Sequence, residues 1–392
     1  MTFPPLLHPL RNPVTHQGFS VSPTIGVLST HPPTRCGLAT FSSALSEGLR
    51  AAGATVNTVR IADGSITEDP GVVGELTNGS ASSVAATAEL LNRCDVAIVQ
   101  HEYGIYGGVD GEEIVDILRA LRIPSIVVAH TLLTDPTPHQ RWVLETIAAE
   151  ADQVVVMSAA ASERLSTGYD VDRRKVTVIP HGAAVAEDFR VRRSGRPTLL
   201  TWGLLGPGKG IERVIDAMPS LQDLPGRPRY VVAGRTHPKV LAAEGEAYRE
   251  SLRERARSLG VTDAVNLETG YLGSDSLRAL IQSAAAVVLP YDSTEQVTSG
   301  VLVEAIAKGR PVVATAFPHA VELLSSGAGI VVKHQDQDAL ASALRRVLTQ
   351  PNLAGAMAGE ARQLAPGMDW PVVAKLYLGL AQRLCGSRSA LL

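Results

Sequence analysis

Short, nearly unbroken apolar runs recur along the chain, and each is followed by a segment whose apolar residues return every three or four positions. In the first half the runs are "TIGVLST" (24–30), "TVNTVRIA" (55–62), "VAIVQHE" (96–102), "SIVVAH" (125–130), "QVVVMS" (153–158) and "VTVIPHG" (176–182). They hardly alternate between apolar and polar residues, so they predict strands buried on both faces of a parallel sheet. Between them, Leu38, Phe41, Leu45 and Leu49 share one face of "GLATFSSALSEGLR". Ile114, Ile117, Leu118 and Leu121 do the same in "GEEIVDILRALR". Both predict helices that lay an apolar stripe on the sheet.

The alternation halts at "EDFRVRRSGRP" (187–197), a charged stretch ending in Gly and Pro. It then restarts with "TLLTWG" (198–203), a helix over "KGIERVIDAM" (209–218), "RYVVAGR" (229–235), "AVNLETG", "AVVLPY", "PVVATAF" and "GIVVK". Two such blocks predict an α/β protein of two doubly wound, Rossmann-like domains, 21–187 and 188–365, preceded by a loose proline-containing tail over 1–20. No repeat of short fixed period points to a solenoid.

Composition narrows the function classes. A net charge of −3 leaves no global field to draw the chain to nucleic acid. The basic clusters "DRRK" (172–175) and "RVRRSGR" (190–196) read as solvated loops. Cys36, Cys94 and Cys385 are odd in number and widely spaced, which predicts neither a disulfide framework nor a metal site and fits a reducing cytoplasm. No stretch reaches the ~20 apolar residues of a membrane span.

In open α/β sheets, ligands bind beyond the carboxyl ends of the strands. The residues that follow the strands are chemically rich: Arg35 and Gly37, His101 and Glu102, His130, His181, Gly203 to Gly210, Arg235, Asp292 to Gly300, and Phe317 to Glu322. A cleft between two facing sheet ends would gather them. "WGLLGPGKGIERVIDAM" reads as a phosphate loop: glycines including Gly208 admit backbone amides to an anion, and Lys209 adds a point charge. The plain alternative is an ordinary turn with an exposed lysine. In "YDSTEQVTSGVLVEAIAKGRPVVAT", Ser299 starts a helix, the amides of Gly300 and Val301 suit a phosphate, and Glu304 suits ribose hydroxyls. Glu304 lies in an apolar segment, where a surface glutamate is out of place. Asp170 and Asp172 form a D-x-D that precedes a strand and reads as a surface turn.

These motifs together resemble the retaining GT-B glycosyltransferases of family 4, over roughly residues 24–385. "SGVLVEAIAKGRPVVAT" resembles the family's second-glutamate motif, "VIPHG" its interdomain turn, "AFPHAVELL" its "GGIPEVV" segment, and "MDWPVVAKLYLGLAQRL" its last helix. The resemblance implies two Rossmann-like domains facing a cleft, an acceptor domain first and a donor domain second, with residues 366–392 returning to the first. It implies transfer of a hexose, mannosyl or glucosyl, from a GDP- or UDP-sugar to an acceptor hydroxyl with retention, with no metal or other cofactor. Lys209, Arg235 and the Gly300 amide would stabilise the diphosphate, and Glu304 and Glu322 would orient the nucleotide and sugar. His130 would line the transfer site, and His101, Glu102 and Tyr103 the acceptor side.

Two positions depart from the pattern. Gln296 stands where the family has its first glutamate, with Glu295 one place earlier, and Leu204 replaces the arginine of the glycine loop. "HPPTRCGLATF" (31–41) takes the place of the family's first glycine-rich loop, so Gly37 would approach the sugar and diphosphate, and Arg35 would add charge there. Cys36 reads as a packing residue. Rival readings are a sugar-nucleotide epimerase, a sugar phosphorylase and a non-catalytic nucleotide-sugar binding protein.

Overall fold

Val96–His101 and Ser125–Ala129 contain no exposed residue, as strands in the middle of a parallel sheet require. The structure, a computed structural model, describes residues 22–186, 195–270 and 273–389. The expected tail over 1–20 and the expected boundary at 187–188 lie outside the described residues, as do residues 190–194 of the second basic cluster.

Among the described residues the strands are β1 (Thr24–Ser29), β2 (Thr55–Ile61), β3 (Val72–Leu76), β4 (Val96–His101), β5 (Ser125–Ala129), β6 (Gln153–Val156) and β7 (Val176–Val178), then β8 (Thr198–Trp202), β9 (Arg229–Ala233), β10 (Val265–Glu268), β11 (Ala286–Leu289), β12 (Val312–Thr315) and β13 (Gly329–Val332). The first block carries helices α1 (Gly37–Ala51), α2 (Ala81–Leu91), α3 (Glu113–Ala120), α4 (Pro138–Glu150) and α5 (Ala159–Gly168). The second carries α6 (Ile211–Ala217), α7 (Pro238–Glu244), α8 (Ala247–Ser258), α9 (Ser274–Ser283), α10 (Gly300–Ala307), α11 (Pro318–Leu323), α12 (Gln337–Thr349), α13 (Pro351–Leu364) and α14 (Trp370–Ser389).

All pairings are parallel. The sheet orders are β3-β2-β1-β4-β5-β6-β7 and β10-β9-β8-β11-β12-β13, so both blocks reverse direction after their third strand and return beside the first. That reversal opens a crevice between the loops following β1 and β4 in one sheet, and β8 and β11 in the other. These are the loops that carry Arg35, Glu102, Lys209 and Gln296. The apolar pattern does not predict β3: "VVGEL" is an edge strand with alternating half-exposed and exposed positions.

Val373, Ala374, Tyr377 and Leu380 of α14 share a buried cluster with Ile25 of β1 and Phe41, Leu45 and Leu49 of α1, so this last helix covers the first sheet. The chain crosses between the sheets twice, side by side: the Ala183 amide donates to the Met368 carbonyl at 2.8 Å. Gly182 is needed there, because a Cβ would lie 2.3 Å from the Trp370 ring. Among the described residues no helix is long and apolar enough to cross a membrane.

Candidate active site

The loop after β8 is pressed against the loop after β11. Gly210 has φ +64°, and a Cβ there would lie 1.8 Å from the Pro290 carbonyl oxygen, so no other residue fits. The Asp292 amide donates to the Gly208 carbonyl at 2.9 Å, closing the same contact. Lys209 is thereby carried over the Tyr291 ring, its Nζ 4.5 Å from the centroid. This is a cation–π geometry, and burial lowers the ammonium's pKa. The exposed-lysine alternative is therefore wrong: Lys209 is half-buried. Gly208, Lys209, Tyr291, Asp292 and Gln296 line a cavity of about 430 Å³.

Ser299 caps α10, its Oγ accepting from the Leu302 amide at 3.3 Å. The Ser299 amide in turn donates to His319 Nδ1 at 2.8 Å, across from α11. Burial pushes His319 down to about 4, so the ring is a neutral acceptor that fixes the cap. The amides of Gly300 and Val301 then start the helix with no intrahelical acceptor, at its positive end. Glu304, one turn in, is half-buried and its pKa is raised by that burial. It does have a protein partner, which the sequence does not reveal: Trp202 Nε1 donates to its Oε2 at 3.2 Å. Of the two candidates for the first acidic position, Gln296 lines the cavity, its Nε2 donating to the Thr298 carbonyl at 3.1 Å. Glu295 is tied through its backbone carbonyl, which accepts from Arg164.

On the first-domain side, the Phe41 ring lies between two histidines, edge-on to His130 and to His181 at 5.0 Å each. His130 Nε2 is 2.6 Å from Gln100 Oε1. Burial, reinforced by His181 and His101, pushes His130 down to about 3, so it is neutral. His181 Nδ1 contacts the Gly182 carbonyl at 2.7 Å. Its Nε2 abuts the start of α10, 3.0 Å from where a Gly300 Cβ would be. His181 thus belongs to the cleft, although the sequence reading gave it no binding role.

In the loop after β1, Cys36 is a structural cap: its Sγ accepts from the Ala39 amide at 3.3 Å at the start of α1. Gly37 has no left-handed φ, and a Cβ on it would meet no protein atom within 4 Å, so the space beside it is open and the fold itself does not demand glycine there. Arg235 Nη2 donates to the Arg35 carbonyl at 2.8 Å, joining this loop to the second domain.

Other expectations change with the structure. His101 is 0% exposed, with both ring nitrogens buried and unpartnered among the described residues, and so lines no open acceptor surface. A sixth consecutive buried position in β4 is what seals it. Glu102 is half-buried and accepts from the Thr131 hydroxyl. The Tyr103 hydroxyl donates to the Gln140 carbonyl at 3.3 Å. Glu322 does not open toward the cavity. Its carboxylate accepts from the Ala159 and Ala160 amides, at 2.9 and 2.8 Å, at the N-terminus of α5 in the first domain. The positive end of α5 holds a carboxylate there. Ser158 Oγ, donating to the Val297 carbonyl at 2.6 Å, and Arg164 complete that junction, and sequence reasoning missed both. Asp172 is held by its neighbour Arg174, at 2.8 Å, in an exposed turn, as the sequence reading has it.

Two facing Rossmann-like sheets, with a glycine–lysine loop and a capped helix N-terminus on one side of the crevice, define a GT-B fold. Two family models match the chain: Glycosyltransferase Family 4 over residues 37–187 and Glycosyl transferases group 1 over residues 186–364. The chain belongs to this family of glycosyltransferases. It is 30% identical over 270 residues to a glycogen synthase of Mycobacterium tuberculosis, covering 64% of this chain and 61% of that one. It is 32% identical over 274 residues to a D-inositol 3-phosphate glycosyltransferase of Actinosynnema mirum, covering 63% and 64%. The matches thus span less than two thirds of these relatives' lengths. Among solved structures, a sucrose-phosphate synthase from Thermosynechococcus elongatus shares the fold with TM-score 0.73 at 19% identity, over 93% of this chain and 99% of that one. The Anabaena protein HepE in complex with UDP does so with TM-score 0.72 at 17% identity, over 91% and 99%.

Proposed function

We propose that the protein transfers a hexose from a nucleoside diphosphate sugar to an acceptor hydroxyl, with retention at the anomeric carbon. The observation that carries this reading is the convergence on one cleft of a half-buried cation, Lys209, a cavity lined by Gln296, and the capped N-terminus of α10. A cation beside uncommitted helix amides suits a diphosphate whose negative charge grows as it leaves. Relatives lend support through their names: one is a GDP-mannose-dependent mannosyltransferase of Mycobacterium tuberculosis, 29% identical over 285 residues. HepE is a fold neighbour seen with UDP-glucose.

In this reading the acceptor oxygen forms its bond to the anomeric carbon on the face from which the diphosphate departs. The bond from that carbon to the phosphate oxygen breaks, and the acceptor's proton passes to that oxygen. Lys209, Arg235 and the amides of Gly300 and Val301 stabilise the departing charge, Glu304 receives the ribose hydroxyls, and Gln296 and His130 hold the sugar. These groups supply the charge without a metal ion, so transfer persists in a chelator. Closure of the cleft keeps out water that would hydrolyse the donor.

The test is a thermal-shift screen against UDP-, GDP- and ADP-sugars, followed by proton NMR of the product. Ligand at a hundredfold its dissociation constant stabilises by about 2.7 kcal/mol, which is visible as a raised Tm. A raised Tm with one nucleotide class and a product keeping the donor's anomeric configuration support the reading. No shift with any of them, or an inverted product, contradicts it.

A further inference from the structure

Gln100 is the penultimate residue of β4, 0% exposed, and its backbone is pinned on both sides. It pairs in register with Val128 of β5, and its carbonyl accepts from the Tyr106 hydroxyl at 2.7 Å. Among the described residues its side chain hydrogen-bonds to His130 alone: Oε1 lies 2.6 Å from His130 Nε2, while the Gln100 Nε2 is buried with no partner. A buried amide group without a partner is destabilising, and a methionine of similar length would fill the same space without that loss. Stability therefore does not explain the glutamine.

We propose that Gln100 is a positioning residue that holds His130 as its Nε2–H tautomer, so that Nδ1 offers a lone pair to a hydroxyl of the transferring sugar. This rests on the proposed function, which puts the sugar beside His130. The amide oxygen only accepts, so the ring nitrogen 2.6 Å from it must donate, in a contact just under the usual N–H···O range. With Nε2 carrying the proton, a neutral imidazole has its acceptor at Nδ1. That atom makes no hydrogen bond among the described residues. The Phe41 ring, edge-on at 88°, blocks rotation of the imidazole.

The groups that face the ring from neighbouring elements are Phe41 of α1, His101 and Gln100 of β4, and His181 after β7. None is an anion, so nothing there draws a second proton onto His130. A carboxylate at position 100 would fix the same tautomer but would also favour the imidazolium, adding a charge beside the sugar and converting Nδ1 into a donor. The neutral amide fixes the tautomer and leaves the lone pair. The hexose must then present an O–H donor at that point, and a donor sugar lacking that hydroxyl leaves Nδ1 unpaired.

The experiment combines histidine-selective 15N NMR with kinetics on the full chain. Two-bond proton–nitrogen correlations distinguish the two tautomers, and the His130 signals are assigned by their loss in His130→Phe. Wild type is expected to show a single Nε2–H form. Gln100→Met should bring in the Nδ1–H form, leave Tm equal or higher, and leave binding of free nucleoside diphosphate unchanged. Its kcat should fall by about tenfold, the rate equivalent of one neutral hydrogen bond. Gln100→Glu should keep the Nε2–H form and give turnover a new pH dependence as the imidazole titrates at higher pH than in wild type. A wild-type spectrum showing Nδ1–H or a mixture overturns the proposal, and so does a Gln100→Met variant whose spectrum is unaltered. A changed tautomer with unchanged turnover also overturns it, because Nδ1 then touches no sugar. If wild type consumes no nucleotide sugar at all, the proposed function fails on its own account, while the spectrum still decides whether Gln100 sets the tautomer.

Discussion

Arg235 reaches across the cleft and donates from Nη2 to the backbone carbonyl of Arg35 at 2.8 Å. A cation of the second domain is thus tethered to the turn between β1 and α1, at the mouth of the crevice. In the proposed reaction the nucleotide rests on the second domain, and the Arg35 loop acts on the sugar and diphosphate once the domains are together. Arg35→Ala should then leave nucleotide affinity within about twofold and lower turnover on the order of 10²-fold, as for loss of one charge-stabilising group. Gly37→Val should fold normally, since its side chain would enter open space, and should lower turnover by filling that space. Paired calorimetry and rate measurements check both. Loss of nucleotide binding in step with activity would mean that the loop grips the nucleotide itself.

Glu322 makes a different bridge. Its two oxygens each take one amide from the start of α5, so the contact is charge-assisted at both ends. Glu322→Gln keeps the shape and removes the charge, and should weaken the closed arrangement by about 1.5–3 kcal/mol. Small-angle X-ray scattering should then give a larger radius of gyration for the unliganded variant, with nucleotide affinity little changed. Identical scattering would show that Glu322 does not hold the domains together.

Histidines with lowered pKa values set the acid limit of the fold, among them buried His101 and His319 and half-buried His130 and His181. Burial lowers His101, His181 and His319 to about 4 and His130 to about 3. The unfolded chain takes up protons at these sites from about pH 6.5, whereas the folded chain does not until about pH 4. Stability should therefore be flat above about pH 7 and fall as pH drops through that window. Among the described residues His101 makes no hydrogen bond with either ring nitrogen, so His101→Leu should keep or raise Tm at neutral pH. It should also remove on the order of 3 kcal/mol of the acid loss. Denaturant melts at several pH values check this, and an unchanged acid slope in His101→Leu would contradict it.

The parts of this molecule that sequence could reveal are those whose signal is local. The two sheets are legible because buried parallel strands need continuous apolar runs, and Ser299 because a capping serine precedes its own helix. Lys209 and Glu304 are legible because glycine loops and an acid inside an apolar helix stand out along the chain. The same unbroken run that marks β4 also shows that its last residue, His101, faces the interior. The contacts across the cleft leave no such trace. Glu322 binds backbone amides 163 and 162 positions away, and backbone donors have no sequence identity. Trp202 finds Glu304 over 102 positions, and Ser158 finds Val297 over 139. Position 37 leaves no such trace either, because the empty space beside its ordinary backbone exists only in the folded chain.

In the proposed reaction a nucleoside diphosphate sits in the cleft between Lys209 and the start of α10, with its ribose on Glu304. Isothermal titration of UDP and of GDP into wild type, Lys209→Ala and Glu304→Gln tests it most directly. One of the two nucleotides should bind wild type at a single site. Glu304→Gln should weaken it by about tenfold to a hundredfold, the range for a hydrogen bond to a charged group. Lys209→Ala should weaken it as well and lower kcat on the order of 10²-fold. Neither nucleotide binding to wild type, or the same dissociation constant in all three proteins, would contradict it.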